Sequence, residues 1–262
     1  MKIISWNINS LRLRLPLLKK FVEENCPDII CLQEIKVCNI DFPLVDVRNL
    51  GFDFIEFDGE KSYNGVAILS KYQINKIEKI DVLNYGHKRH IFALIKTPFG
   101  EINLHNFYIP AGGDIPDVEL NNKFDHKLKF IDWMSDYFSK NSQPKTIILG
   151  DFNVAPRHQD VWSHKQLLKV VSHTPIEVEK LEKLQKSSDF IDTHRFIAGE
   201  DSKLYSWWSY RAKEPLRSDR GRRLDHIWIT PDLKSFLKNA KIYRDFRIEN
   251  SPSDHVPIEI IF

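Results

Sequence analysis

Polar side chains able to hold a phosphate or a hard cation recur at the ends of short apolar runs in this chain. Thr146-Ile147-Ile148-Leu149 leads into Gly150-Asp151-Phe152-Asn153, and Asp28-Ile29-Ile30-Cys31-Leu32 leads into Gln33-Glu34-Ile35-Lys36. Near the C-terminus Ser253-Asp254-His255 precedes Val256-Pro257-Ile258. Aliphatic and β-branched runs bounded by turn formers read as buried strands, and strand ends in an α/β sheet are where binding sites form. Carboxylate and amide oxygens together with an imidazole suit Mg²⁺-assisted phosphodiester chemistry.

Asp151 and Asn153 are two residues apart, so an extended backbone would project both to one side. An anionic oxygen and an amide could then address one phosphate or one hydrated metal, with Gly150 permitting a sharp turn or a close backbone approach before them. The same tetrapeptide is also an ordinary turn; its place directly after Ile147-Ile148-Leu149 favours a site. Glu34 could ligate a metal, cap a helix or face solvent. Asn7, following Ser5-Trp6, reads as a turn residue or a ligand.

His255 beside Asp254 offers a general base or a phosphate donor, with Asp254 binding metal or orienting the ring. A surface histidine is the alternative in a chain with ten of them, and His105 and His226, within apolar runs, read as structural. Asp225 lies in Arg223-Leu224-Asp225-His226-Ile227-Trp228. A carboxylate buried in a strand needs a partner, and His255 is a candidate.

Tyr205-Ser206-Trp207-Trp208-Ser209-Tyr210 is followed by Arg211, Lys213, Arg217, Arg220, Arg222 and Arg223, against only Glu214 and Asp219. Aromatics interleaved with cations suit a surface that meets phosphates and stacks or wedges beside bases. An aromatic core strand followed by a solvated loop is the alternative. His87-Lys88-Arg89-His90 is a smaller basic group, either a phosphate contact or a charged turn.

Strands are needed to bring these groups together. Further strand-like runs are Ile3 to Trp6, Gly65 to Leu69, Ile91 to Ile95, Ile102 to Phe107, Arg223 to Ile229 and Val256 to Phe262. Helical periodicity predicts a helix over Leu11 to Glu24, with Leu11, Leu15, Leu18 and Val22 near one face. A second is expected over Asn122 to Ser139, and a third over Pro175 to Lys186 with Pro175 at its first position after Thr174. No Gly/Ser/Pro-rich linker and no tandem repeat divides the chain, so one domain spanning 1–262 is expected.

At 262 residues the chain can bury a sizeable core, and 42% hydrophobic with 28% charged residues excludes wholesale disorder. A formal charge of +2 is too small to imply a nucleic-acid partner, so that reading rests on local clustering. Cys26, Cys31 and Cys38 lack a paired spacing, which argues against a disulfide framework. No apolar stretch approaches membrane-spanning length and the chain opens directly on a strand-like run, so a cytoplasmic monomer is expected.

Taken in order, Ser5-Trp6-Asn7-Ile8-Asn9-Ser10-Leu11-Arg12, Pro27 to Lys36, Tyr108-Ile109-Pro110, Gly150 to Asn153, Tyr205 to Trp208, Arg223 to His226 and Ser253 to His255 resemble the successive blocks of the exonuclease III family of apurinic/apyrimidinic endonucleases. The resemblance covers essentially the whole chain. It implies a four-layer α/β sandwich, two packed mixed sheets flanked by helices. It also implies Mg²⁺- or Mn²⁺-dependent cleavage of duplex DNA 5′ to abasic sites to leave a 3′-hydroxyl, with 3′–5′ exonuclease activity and cleaning of blocked 3′ ends.

Carried over by position, Glu34 would be the principal metal ligand, with Asn7, Asp151, Asn153, Asp254 and His255 around the metal and the scissile phosphate. Asp151 would be an acid/base, Tyr108 a phenolic donor, Asn153 a stabiliser of the transition state and Asp225 the residue orienting His255; Asp151 and His255 both stand as candidate general bases. Lys36, Arg89, Trp207, Trp208, Arg222 and Arg223 are the expected DNA contacts. The chain departs from the family at Ala111, where an amide is usual, at His194 for Phe or Tyr, and at Asp219 for Asn. A phosphoesterase of the wider endonuclease/exonuclease/phosphatase superfamily, or a non-catalytic nucleic-acid-binding module, are the competing readings.

Overall fold

The structure is a computed structural model describing residues 1–262. Twelve strands form two six-stranded sheets. The first sheet contains β1 (Lys2–Asn7), β2 (Ile29–Gln33), β3 (Phe54–Asp58), β4 (Val66–Ser70), β11 (Asn239–Ile242) and β12 (Ile258–Ile261), in the order β11-β12-β1-β2-β4-β3. The second contains β5 (Ile74–Glu78), β6 (His90–Thr97), β7 (Gly100–Tyr108), β8 (Thr146–Asp151), β9 (Ile191–Asp192) and β10 (Asp225–Ile229), in the order β5-β6-β7-β8-β10-β9. Each is mixed: β1 runs parallel to β2 and β7 parallel to β8, while the other ladders are antiparallel.

Side-chain alternation along the strands builds the layers. Ile3, Ile29, Cys31 and Ile68 of the first sheet meet Ile91, Ile102, Leu104, Ile147 and Ile227 of the second. On the outer face of the first sheet, Ile4, Trp6, Ile30 and Leu32 pack on Leu17, Leu18 and Phe21 of α1 (Leu11–Asn25). On the outer face of the second, Phe107, Ile148 and Trp228 pack on two further helices. Helix–sheet–sheet–helix is the four-layer sandwich expected from the resemblance.

The remaining helices are α2 (Leu44–Arg48), α3 (Asn122–Lys140), α4 (His164–Leu167), α5 (Pro175–Lys186), α6 (Thr193–Ala198) and α7 (Pro215–Ser218). Helices α3 and α5 cover the second sheet through Phe130, Ile131, Met134, Leu181 and Leu184. Helix α5 begins where expected. Thr174 and Glu177 form a reciprocal capping box around Pro175, satisfying backbone donors that a helix start leaves free.

Helix α1 differs from the expected single face. Arg14 leaves helical geometry shortly before Pro16, whose missing N–H interrupts the ladder. The kink buries Leu17 and Phe21 and leaves Leu15 only partly covered. Strand β10 is shorter than expected: Arg223 lies before it, its N–H donating to the Asp160 carbonyl. Val256 and Pro257 likewise precede β12.

Candidate active site

The candidate residues lie at the same end of both sheets. Asn7 closes β1, Glu34 follows β2, Tyr108 closes β7, Asp151 closes β8, Asp225 opens β10 and His255 precedes β12. Asn7 joins the two sheets, its amide donating to Glu34 Oε1 at 2.8 Å and to Asp151 Oδ2 at 2.9 Å. Beneath them Gln33 Nε2 donates to Asn106 Oδ1 at 2.7 Å, and Asn106 Nδ2 donates to the carbonyls of Leu32 and Ala67. This buried polar link holds the sheet ends in register.

Gly150 is part of β8, and its role is close approach rather than a turn. A Cβ there would collide with the Phe107 carbonyl oxygen, so a larger residue would push β8 away from β7. Asn153 reaches Asp151 through a turned backbone, not an extended one. Its φ is +54°, its N–H donates to Asp151 Oδ1 at 2.9 Å and its amide to Oδ2 at 3.0 Å. Glu34 also has a positive φ, +50°. Such left-handed conformations cost a non-glycine residue on the order of 1 kcal/mol and cluster where a side chain must be aimed.

His255 is set between two carboxylates. Its Nδ1 lies 2.8 Å from Asp225 Oδ2 and its Nε2 lies 3.6 Å from Asp151 Oδ2. Ser206 Oγ donates to the same Asp225 oxygen at 2.6 Å, and Ser253 Oγ accepts from the His255 N–H at 3.2 Å while donating to the Asn7 carbonyl. Both serines lie in the sequence blocks described above, yet nothing in their spacing shows that they orient these groups.

The electrostatics follow from burial and neighbours. Burial pushes the Asp151 carboxyl up, with Asp225 adding repulsion and His255 and Asn7 opposing. Burial opposes charge on His255, but Asp225 and Asp151 outweigh it and raise the imidazole to about 10. At Glu34 burial is likewise outweighed, by Lys36 and by the Asn7 amide, and the carboxyl is held below its usual range. Burial, reinforced by Glu34, pushes the Tyr108 phenol well up, so it stays a proton donor. At Asp254 burial is overcome by His255, Asn9 and Trp207, and the carboxyl is lowered.

The donor set fits a hard divalent cation. Glu34, Asp151 and His255 each offer a ligand atom, all within 4.8 Å of one another, with the Asn7 amide beside them. A cation there would stabilise the Asp151 carboxylate, which burial alone disfavours.

These groups open onto a cavity of about 520 Å³ whose lining includes Tyr108, Asn153, Trp207, Arg211, Arg222 and Asp254. Trp207 Nε1 donates to Asp254 Oδ2 at 2.9 Å, and the Arg222 guanidinium lies 5.3 Å from the Trp207 ring centre. Lys36 is half-buried beside the site, its ammonium 2.6 Å from Glu34 Oε2.

Three of the expected DNA contacts are corrected. Trp208 is fully buried in the core beside Tyr205, because the backbone that turns Trp207 toward the cavity turns its neighbour inward. Arg223 is 1% exposed and forms a two-pronged ion pair with Asp192, at 2.8 and 2.5 Å. Arg89 is 4% exposed, its guanidinium 4.5 Å from the Tyr108 ring centre with Nη1 donating to the Tyr108 carbonyl, so it supports Tyr108 rather than standing as a free surface cation.

Lys127 was not singled out in the sequence. It is fully buried on α3, paired with Glu177 of α5 at 2.5 Å, and donates to the Asn153 carbonyl at 2.7 Å and the Ala111 carbonyl at 3.3 Å. The available signal was a lysine one position from Leu128 on the apolar stripe of α3. The three departures from the family pattern also have places. Ala111 is exposed on the cavity wall, His194 is buried with Nε2 3.2 Å from the Lys241 carbonyl, and Asp219 takes the left-handed position after α7, where Asn is equally suited.

This chain belongs to the Endonuclease/Exonuclease/phosphatase family, which it matches over residues 4–255. It is 32% identical to the exodeoxyribonuclease III of Haemophilus influenzae, with 98% of each chain covered. It is 29% identical to a Bacillus subtilis exodeoxyribonuclease over 100% of this chain and 99% of that protein. Among solved structures, an AP endonuclease from Archaeoglobus fulgidus superposes with a TM-score of 0.92 at 31% identity, covering 100% of this chain and 99% of that one. A variant of the Neisseria 3′ phosphatase NExo, bound to product DNA hairpin, superposes with a TM-score of 0.91 at 27% identity and the same coverage. The exonuclease III resemblance read from the sequence blocks therefore holds along the whole chain. No helix is long and apolar enough to cross a membrane.

Proposed function

We propose that this protein is a divalent-metal-dependent DNA-repair nuclease that hydrolyses the phosphodiester 5′ to abasic sites in duplex DNA and leaves a 3′-hydroxyl. The reading includes 3′–5′ exonuclease activity and cleaning of blocked 3′ ends, by a single 1–262 domain acting as a cytoplasmic monomer. The observation that carries it is the convergence of Asn7, Glu34, Asp151, Asn153, Asp225 and His255 at one mouth of the sandwich. The full-length similarity to exodeoxyribonucleases and AP endonucleases supports it.

Glu34, Asp151 and Asn7, with Asp254 nearby, would hold Mg²⁺ or Mn²⁺. When bound, the cation neutralises charge on the phosphoryl oxygens. The protein groups divide the remaining work. His255, kept protonated by Asp225 and Asp151, donates to a phosphoryl oxygen. Asp151, held by the Asn7 and Asn153 amides, is placed to move a proton from the attacking water or to the leaving oxygen. Tyr108 remains a phenol that can donate to the phosphate or the leaving group. Asn153 presents an amide to the charge that develops in the transition state. Trp207 and Arg222 line the space for a baseless sugar, whose extrusion costs less because its pairing and stacking are already lost.

The test is a duplex oligonucleotide carrying one tetrahydrofuran abasic analogue, incubated with Mg²⁺ or EDTA and resolved on a denaturing gel. A single Mg²⁺-dependent cut 5′ to the analogue is expected. A ladder shortening only from the 3′ end would move the reading to a 3′-end-processing enzyme, the alternative that the likeness to NExo favours. No product with any metal would sink both.

A further inference from the structure

We propose that Arg222 is a specificity-determining residue that reads a second negative charge on the substrate, carried one short link beyond the scissile phosphate. The inference rests on the nuclease reading above and deepens it.

Four observations place an anion subsite there. Arg222 lines the same cavity as Glu34, Asp151 and His255, so a group attached to a phosphate at those residues lies within its reach. One nitrogen of its guanidinium is fixed, Nη1 donating to Ser172 Oγ at 2.8 Å and to the Val171 carbonyl at 3.1 Å. Its Nε is buried without any partner. Glu177, the nearby carboxylate whose charge favours the guanidinium, is bonded to Lys127, and Arg222 forms no ion pair of its own. A part-buried guanidinium without a carboxylate partner is costly unless an anion completes it.

The cavity therefore holds both a candidate cation site, at Glu34 and Asp151, and a held guanidinium. Trp207 is the platform between them, pinned through Nε1 to Asp254 and lying against the guanidinium. A neutral baseless sugar needs no guanidinium. A carboxylate or a second phosphate on the group being removed does, and Nη2 is the nitrogen of Arg222 left to meet it, since Nη1 is taken and Nε is closed off.

Two sources supply such an anion: the carboxylate of a group blocking a 3′ end, or the next phosphodiester of an unbroken strand. The experiment compares wild type with R222Q and R222K on two matched pairs of duplex substrates. The first pair carries a 3′-phosphate esterified with carboxymethyl or with neutral hydroxyethyl. The second carries an internal tetrahydrofuran followed by an ordinary phosphodiester or by an uncharged methylphosphonate. The readout is the ratio of kcat/KM for the charged over the neutral member of each pair.

Wild type is expected to prefer the charged member of at least one pair, and R222Q to reduce that preference roughly ten- to hundredfold. R222K, which keeps the charge but loses the anchoring of the guanidinium by Ser172 and Val171, should fall between them. Preference in the first pair alone identifies the end-blocking carboxylate; preference in the second alone identifies the following phosphate. No preference in wild type, or one that R222Q leaves intact, overturns the role given to Arg222 while the nuclease reading stands. Failure of wild type to cleave any of the four substrates overturns the nuclease reading and this inference with it. Melting curves of both variants confirm that the ratios come from folded protein.

Discussion

Asp151 and Asp225 are direct partners across the antiparallel β8–β10 ladder, and His255 places one ring nitrogen toward each, at 3.6 and 2.8 Å. Two carboxylates so close would repel, and the imidazolium between them is what makes the arrangement tolerable. One strand register thus sets both the ring orientation and the proton affinity of Asp151.

The Asp225→Asn substitution keeps the shape but removes the charge that raises His255. Turnover is expected to fall on the order of 10²- to 10⁴-fold, with duplex affinity little changed. Single-turnover cleavage beside a binding isotherm checks it; a wild-type rate would remove Asp225 from the mechanism.

Glu34→Gln takes a charge from the metal-binding set. Calorimetric titration with Mn²⁺ should show weaker binding, and Mg²⁺-dependent turnover should drop roughly a hundredfold or more. If metal affinity is retained, the cation is held by the Asp151 and Asp254 carboxylates instead.

Arg223 tests the correction to the DNA-binding surface. Because it is buried in an ion pair with Asp192, Arg223→Ala leaves that carboxylate without its pair, while Asp160 keeps Arg195, and should destabilise the fold by about 3–5 kcal/mol. Urea denaturation at constant m-value measures this. A flattened salt dependence of DNA binding with unchanged stability would return Arg223 to the interface.

Buried histidines give the stability a predictable acid limb. Burial lowers His105 to about 3, and burial together with Arg223 lowers His194 to about 4, against 6.5 when exposed. In both, the unfolded chain binds the proton first. Stability is fully present above pH 6.5 and is lost as the pH falls toward the folded values, by up to about 1.4 kcal/mol per pH unit for each histidine. Urea titrations from about pH 7 down to about pH 4 should show the decline, and His105→Phe should reduce its slope. An unchanged slope would mean that His105 is not buried neutral.

Central strands and long helices were legible in the sequence because burial on one or both faces imposes apolar runs and 3.6-residue periodicity. The strands that were not, β3, β5, β9 and β11, are the four sheet edges. Paired on one side only, β3, β5 and β11 carry charged or amide residues such as Glu56, Lys76 and Lys241, which blur the alternation and discourage further pairing. β9 has only two residues, too few to show any period.

The amino-acid sequence alone determined which chemistry was available. Acid, amide and imidazole at strand ends are properties of residue type and local pattern. Tertiary structure decided which of them meet and which charges remain free. Trp207 and Trp208 are neighbours in sequence, as are Arg222 and Arg223, yet one of each pair faces the cavity and the other is buried. Composition cannot separate such neighbours, because an extended backbone sends successive side chains to opposite faces and only the packing of two sheets defines which face is the site. The Lys127–Glu177 pair behind Asn153 likewise exists only through the contact of α3 with α5, 50 residues apart in sequence.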